Sequence, residues 1–145
     1  MENKKLKWFD LPNTIKAVDQ ATNVFKETLI FNDKSFTQNE LIEVISVEKG
    51  KIVAPTTLIL YQNLDELYTE PLSFTLTNTD TSENSLSISF QLLLGQDPPY
   101  KGFQVANYDG TFRQATNTLK IYPNGNYAGG KGKVSLTVFY AIIDE

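Results

Sequence analysis

The stretch Leu86-Ser87-Ile88-Ser89-Phe90-Gln91-Leu92-Leu93-Leu94 decides the fold class. Leu86, Ile88, Phe90, Leu92 and Leu94 recur at every second position. Side chains on a strand point to opposite faces with period two, so this run buries one face and largely wets the other. The same alternation returns in Leu72, Phe74 and Leu76 against Ser73, Thr75 and Thr77. It returns again in Val134, Leu136, Val138, Tyr140 and Ile142. Phe139 interrupts the small or polar side of this last strand and predicts cover by another element or subunit.

Working outward, Val24–Phe31 is rich in β-branched and aromatic residues and stops at the turn pair Asn32-Asp33. Leu41–Glu48 follows and ends at Glu48-Lys49-Gly50-Lys51, where Gly50 suits a tight turn. Pro55 opens a strand over Thr56–Gln62, since proline starts a strand but does not sit centrally in one. Asn78–Ser85 is a polar connection. Asp97-Pro98-Pro99 ends the central ladder, and Phe103–Phe112 reads as an irregular, aromatic-bearing excursion. Thr118–Tyr122 is a short strand. Pro123-Asn124-Gly125-Asn126, prolonged by Ala128–Gly132, reads as the turn of a flexible hairpin. About seven strands with frequent turns predict an all-β, antiparallel β-sandwich or jelly roll over residues 24–145. Phe90 and Leu136 are assigned to its core.

Residues 1–23 differ and form an N-terminal arm. They carry the only tryptophan of the chain, Trp8, beside Phe9 and Leu11. Asn13-Thr14 is expected to cap a short helix in which Ile15 and Val18 share a face. Such a narrow apolar stripe is marginal alone, so the arm is expected to dock on its own domain or on a neighbouring subunit.

Composition narrows the function. The 145 residues contain no histidine and no cysteine, which removes the usual general base at neutral pH, the thiol nucleophile and most zinc chemistry. Carboxylates remain: Asp65, Glu66 and Glu70 form one group, Asp80 and Glu83 another. Paired acids hydrolyse glycosidic bonds when one is held protonated in an apolar site, but both groups lie in polar, turn-like sequence. The chain is therefore expected not to be an enzyme. Asn78, Asp80, Ser82 and Asn84 place oxygen at every second position, as a calcium loop does, yet they lack its glycine and closing glutamate. A plain loop is expected, with no metal. Gly125, Gly130 and Lys131 match the spacing of a phosphate loop. However, Gly132 stands where its Ser or Thr belongs and a strand follows, so no cofactor is expected.

The net charge of −4 supplies no basic field for nucleic acid; Lys4, Lys5 and Lys7 are read as a solvated terminus. No run approaches the roughly 18 apolar residues that span a bilayer, and no signal-peptide core is present. Aromatics concentrate in the C-terminal half, at Tyr100, Phe103, Tyr108, Phe112, Tyr122 and Tyr127, several of them beside Gly or Pro in loops. They are candidates for stacking on sugars or for a protein interface, with loop-anchoring core as the other reading.

The segments "ELIEVISVEKGKIVAPTTLILYQ" (40–62) and "NTLKIYPNGNYAGGKGKVSLTVFYAIID" (117–144) give the span from Leu41 to Ile143 a further meaning. It resembles small β-rich virion structural proteins of tailed bacteriophages. The resemblance implies a capsid decoration, head-fibre, or tail or baseplate role, commonly in homotrimers or other symmetric assemblies. It also implies partners that are copies of the chain and other virion proteins, and localisation in the virion after synthesis in the host cytoplasm. Attachment is expected through Trp8, Phe9, Leu11 and Phe139. A carbohydrate-binding module that reads a host surface glycan with the loop aromatics is the alternative.

Overall fold

A computed structural model describes residues 24–77, 85–89, 97–108 and 117–144. Eight strands run through the described residues: β1 (Val24–Asn32), β2 (Ile42–Ser46), β3 (Lys51–Glu66), β4 (Ser73–Thr77), β5 (Ser85–Ser89), β6 (Tyr100–Asn107), β7 (Thr118–Pro123) and β8 (Lys131–Asp144). They form two four-stranded sheets ordered β1-β8-β3-β6 and β2-β7-β4-β5, with every pairing antiparallel. The first strand pairs with the last, the second with the seventh, the third with the sixth and the fourth with the fifth. A chain paired this way is one long hairpin rolled into two layers, the eight-stranded jelly roll. Of the two architectures expected, this is the one adopted.

The core lies between the sheets. Leu58, Leu60 and Leu64 of β3 and Val134, Leu136 and Val138 of β8 face Phe74 and Leu76 of β4 and Leu119 and Ile121 of β7, all fully buried. Each such side chain contributes about 1.5–3 kcal/mol of burial.

Four expectations are corrected. Phe103–Phe112 is not irregular from its start, because residues 100–107 form β6, a regular edge strand against β3. Its exposed apolar residues, Phe103 and Val105, point outward, while Gly102, Gln104 and Ala106 point in. The alternation is inverted, and a strand with a polar or small inward face does not announce itself. Pro55 lies inside β3 rather than before it. The register shifts between Pro55 and Thr57, and β6 begins to pair only at Thr57. At Pro55 the strand thus has a neighbour on one side, and a bulge absorbs the missing N–H. The extra residue, Thr56, donates its hydroxyl to the Phe139 carbonyl at 3.2 Å and accepts the Tyr108 N–H at 2.9 Å.

The segment 124–130 is no hairpin turn, since it carries the chain from β7 in one sheet to β8 in the other. Finally, β4 is buried on both faces: Thr75 and Thr77 are covered as well as Phe74 and Leu76. Thr75 sits between Tyr122 and Ser87 in register and donates its hydroxyl to the Asn124 side chain at 2.7 Å. The run 86–94 is described to Ser89, where Ile88 is buried and Ser89 exposed. Phe90 lies outside the described residues, as does the expected helix of the arm.

Candidate interaction surface

Several strands of the first sheet are apolar on both faces. Thr28-Leu29-Ile30-Phe31 and Leu58-Ile59-Leu60-Tyr61 break the strict alternation: Leu29, Phe31, Leu58 and Leu60 serve the core, and Ile30, Ile59 and Tyr61 point away from it. Registers join these outward residues across the sheet. One row reads Ile30, Ser135, Tyr61, Phe103; the next reads Thr28, Thr137, Ile59, Val105. Phe103 is 66% exposed, Ile30 56% and Val105 47%. Ser135, although it points outward, is buried between Ile30 and Tyr61.

Polar groups frame this patch. Thr28 and Thr137 share a hydroxyl hydrogen bond at 3.0 Å, and Thr57 donates to the Asn107 side chain at 3.0 Å. Lys133 holds its ammonium 6.0 Å from the Tyr61 ring centre, at the edge of cation–π range. Lys101 and Lys133 flank Asn63 in one outer row, and Lys26 lies beside Phe139 in another. The opposite sheet is polar at its outward positions, Ser73, Thr75, Thr77, Lys120 and Tyr122, of which Thr75 and Thr77 are buried. An apolar face on one sheet and a polar face on the other is the principal asymmetry of the described residues. Contiguous exposed apolar surface framed by polar groups is the mark of an interaction site.

No family model and no curated protein matches the chain. Among solved structures, the cyanophage Pam1 capsid asymmetric unit is similar at 16% identity and a TM-score of 0.45, over 81% of this chain and 81% of that one. A Bacillus endospore appendage, one of a family of disulfide-linked pili, is similar at 11% identity and a TM-score of 0.33, over 82% of this chain and 88% of that one.

The residues singled out from the sequence fall in different places. Phe139 is half-buried on the outer face, between Lys26 and Thr57 in register, and so belongs to the surface just described. Tyr100 is on a strand rather than a loop, and packs inward against the core. Tyr108 follows β6 directly, half-buried. Tyr127 follows the loop-anchoring reading: it is 4% exposed and belongs to the core. It bridges to Phe36 by two backbone hydrogen bonds of 2.9 Å, and its hydroxyl accepts the Ser73 N–H at 3.1 Å. Its ring joins an aromatic cluster with Phe74, Phe36 and Tyr68. Trp8, Phe9, Leu11 and Phe112 lie outside the described residues, as do Asp80, Glu83 and the whole candidate calcium loop. Glu66 reaches Lys131 at 4.0 Å. Among the described residues, no three acidic side chains are grouped as metal ligands would be.

The glycine-rich segment has a packing explanation. A Cβ on Gly130 would fall 2.4 Å from the Tyr68 ring, and one on Gly132 the same distance from the Asn63 carbonyl. Tyr68 is fixed in turn, donating its hydroxyl to the Lys34 carbonyl at 2.6 Å. These glycines let backbone and ring approach closely, and no anion is needed to account for them.

Proposed function

We propose that this chain is a non-enzymatic structural subunit of a tailed-bacteriophage virion, a capsid decoration, head-fibre or tail component. It assembles with copies of itself, as a homotrimer by the resemblance, and with other virion proteins. Residues 1–23 provide the attachment and the jelly roll provides the body. The outward apolar face of the β1-β8-β3-β6 sheet is the observation that carries this reading, because such a face is suited to being covered in an assembly. The jelly roll is used by viral capsid domains, though a fold alone assigns no function.

Mass spectrometry of purified particles tests the proposal. The chain is expected in many copies per particle, and deletion of residues 1–12 is expected to remove it from particles while the domain stays folded. Unchanged incorporation of the deletion refutes the role of the arm; absence of the intact chain from particles refutes the virion assignment.

A second reading is favoured by one observation, the register pairing of exposed Phe103 with Tyr61 on the outer face. Aromatic faces of this kind stack on sugar rings, and lectins share the jelly roll. A host surface glycan is then the ligand, read from the sheet and not from Tyr127. Saturable binding on a glycan array, lost in Phe103→Ala, is its expected signature.

A further inference from the structure

We infer that the segment Trp8-Phe9-Asp10-Leu11 of a second copy of this chain docks on the outer face of the β1-β8-β3-β6 sheet, over the row of Ile30, Tyr61 and Phe103. The inference rests on the self-assembly proposed above and names its contact.

Three observations select this occupant. The first is chemistry. Phe103 and Ile30 are the most exposed large apolar residues described, at 66% and 56%, and they stand in one row with Tyr61. The quoted segment holds two aromatic residues and one aliphatic residue within four positions. The second is charge. Lys101 and Lys133 occupy the adjoining row on either side of Asn63, and Asp10 lies between Phe9 and Leu11 to meet one of them. Docking thus joins aromatic area to an ion pair at its rim, a combination typical of interface anchors.

The third is reach. Val24 stands opposite Ala141 at one end of β1, whereas Asn32 stands opposite Lys133 at the other. Val24 is thus at the end of β1 away from the row of Ile30 and Phe103. From Val24 to Ile30 is about 20 Å along the strand, and the sheet is about 14 Å wide. The stretch between Leu11 and Val24, extended, reaches about 40 Å. That length exceeds the distance to the row, so reach allows the contact, and the self-assembly proposed above selects the second copy as the one that provides the face.

Trp8 is the only tryptophan in the chain, so its fluorescence, excited apart from tyrosine, reports the segment alone. The full-length chain is expected to show blue-shifted emission at high concentration that moves toward that of tryptophan in water on dilution. Phe103→Lys and Ile30→Lys replace exposed side chains and are expected to leave the circular-dichroism spectrum unchanged. Each is expected to hold the emission at the water value at concentrations where the wild type is shifted. A blue shift independent of concentration places the segment on its own domain and overturns the inference. A shift that survives both substitutions places it on another surface, and a wild type that never shifts leaves the face without this occupant. Either result contradicts the docking while particle incorporation still holds, so the two readings fail separately.

Discussion

Gly132 takes a φ of +124° where β8 begins, and its N–H donates to the Asp33 carboxylate at 2.6 Å while its carbonyl accepts the Asp33 N–H at 2.8 Å. Gly132→Ala combines a strained backbone with a clash against the Asn63 carbonyl. It is expected to cost at least about 1–3 kcal/mol in urea unfolding. Tyr127→Phe leaves the Ser73 N–H without its acceptor and is expected to cost about 1–3 kcal/mol, with no effect on any glycan affinity. The buried tyrosines also set the alkaline limit. Burial foremost raises the Tyr68, Tyr127 and Tyr140 phenols above their ordinary value of 10.0. The Asp33, Glu70 and Glu27 carboxylates respectively push the same way, and the Ser73 backbone bond partly opposes the rise at Tyr127. The unfolded chain then loses these protons near pH 10 while the folded chain keeps them. Stability from this source is full below pH 10 and falls as pH rises through the folded values. A urea midpoint that declines above pH 10, and declines less in Tyr140→Phe, is the expected outcome. Acid works at Asp144, whose carboxyl Lys51 holds below its ordinary 3.8 by a 2.6 Å hydrogen bond and by charge. That contribution is present above pH 3.8 and disappears as pH falls through the lowered value. Both groups are solvent-exposed, so the effect is small.

Among the elements, β4 and β6 show what separates core from surface. Phe74→Ala on β4 empties a fully buried site and is expected to cost about 3–5 kcal/mol. Phe103→Lys on β6 is expected to shift the denaturation midpoint of the unassembled chain by about 0.5 kcal/mol or less. Equal costs for the two would contradict the orientation of β6. The sequence made β4, β7 and β8 legible because their inward positions are large and apolar at period two. It left β6 hidden, because after Tyr100 the apolar residues are outward and the core face holds glycine, glutamine and alanine. The same blind spot concealed Ile30, Ile59 and Tyr61: within the runs Leu29-Ile30-Phe31 and Leu58-Ile59-Leu60-Tyr61, unbroken hydrophobicity was the available sign that both faces are apolar. Tyr127 was left undecided between loop and core for a related reason. Its neighbours are turn residues, and only the long-range bridge to Phe36 draws it inward.

At the scale of the whole molecule, the pairing of first strand with last, and so inward to β4 with β5, makes nearly every ladder a contact between distant parts of the chain. Strand periodicity indicates two layers but carries no information about this order, which depends on which sheet each connection enters. The rolled topology leaves β1 and β6 as edges of the apolar-faced sheet and β2 and β5 as edges of the other, so growth through a face or an edge needs no rearrangement of the core. Assembly through the apolar face is the claim on which the functional reading turns. Light scattering on the full-length chain and on Phe103→Lys measures it most directly. The account predicts a wild-type mass above that of the 16.3 kDa monomer and a monomeric variant; a wild type that stays monomeric at every concentration, or an oligomer indifferent to Phe103→Lys, would contradict it.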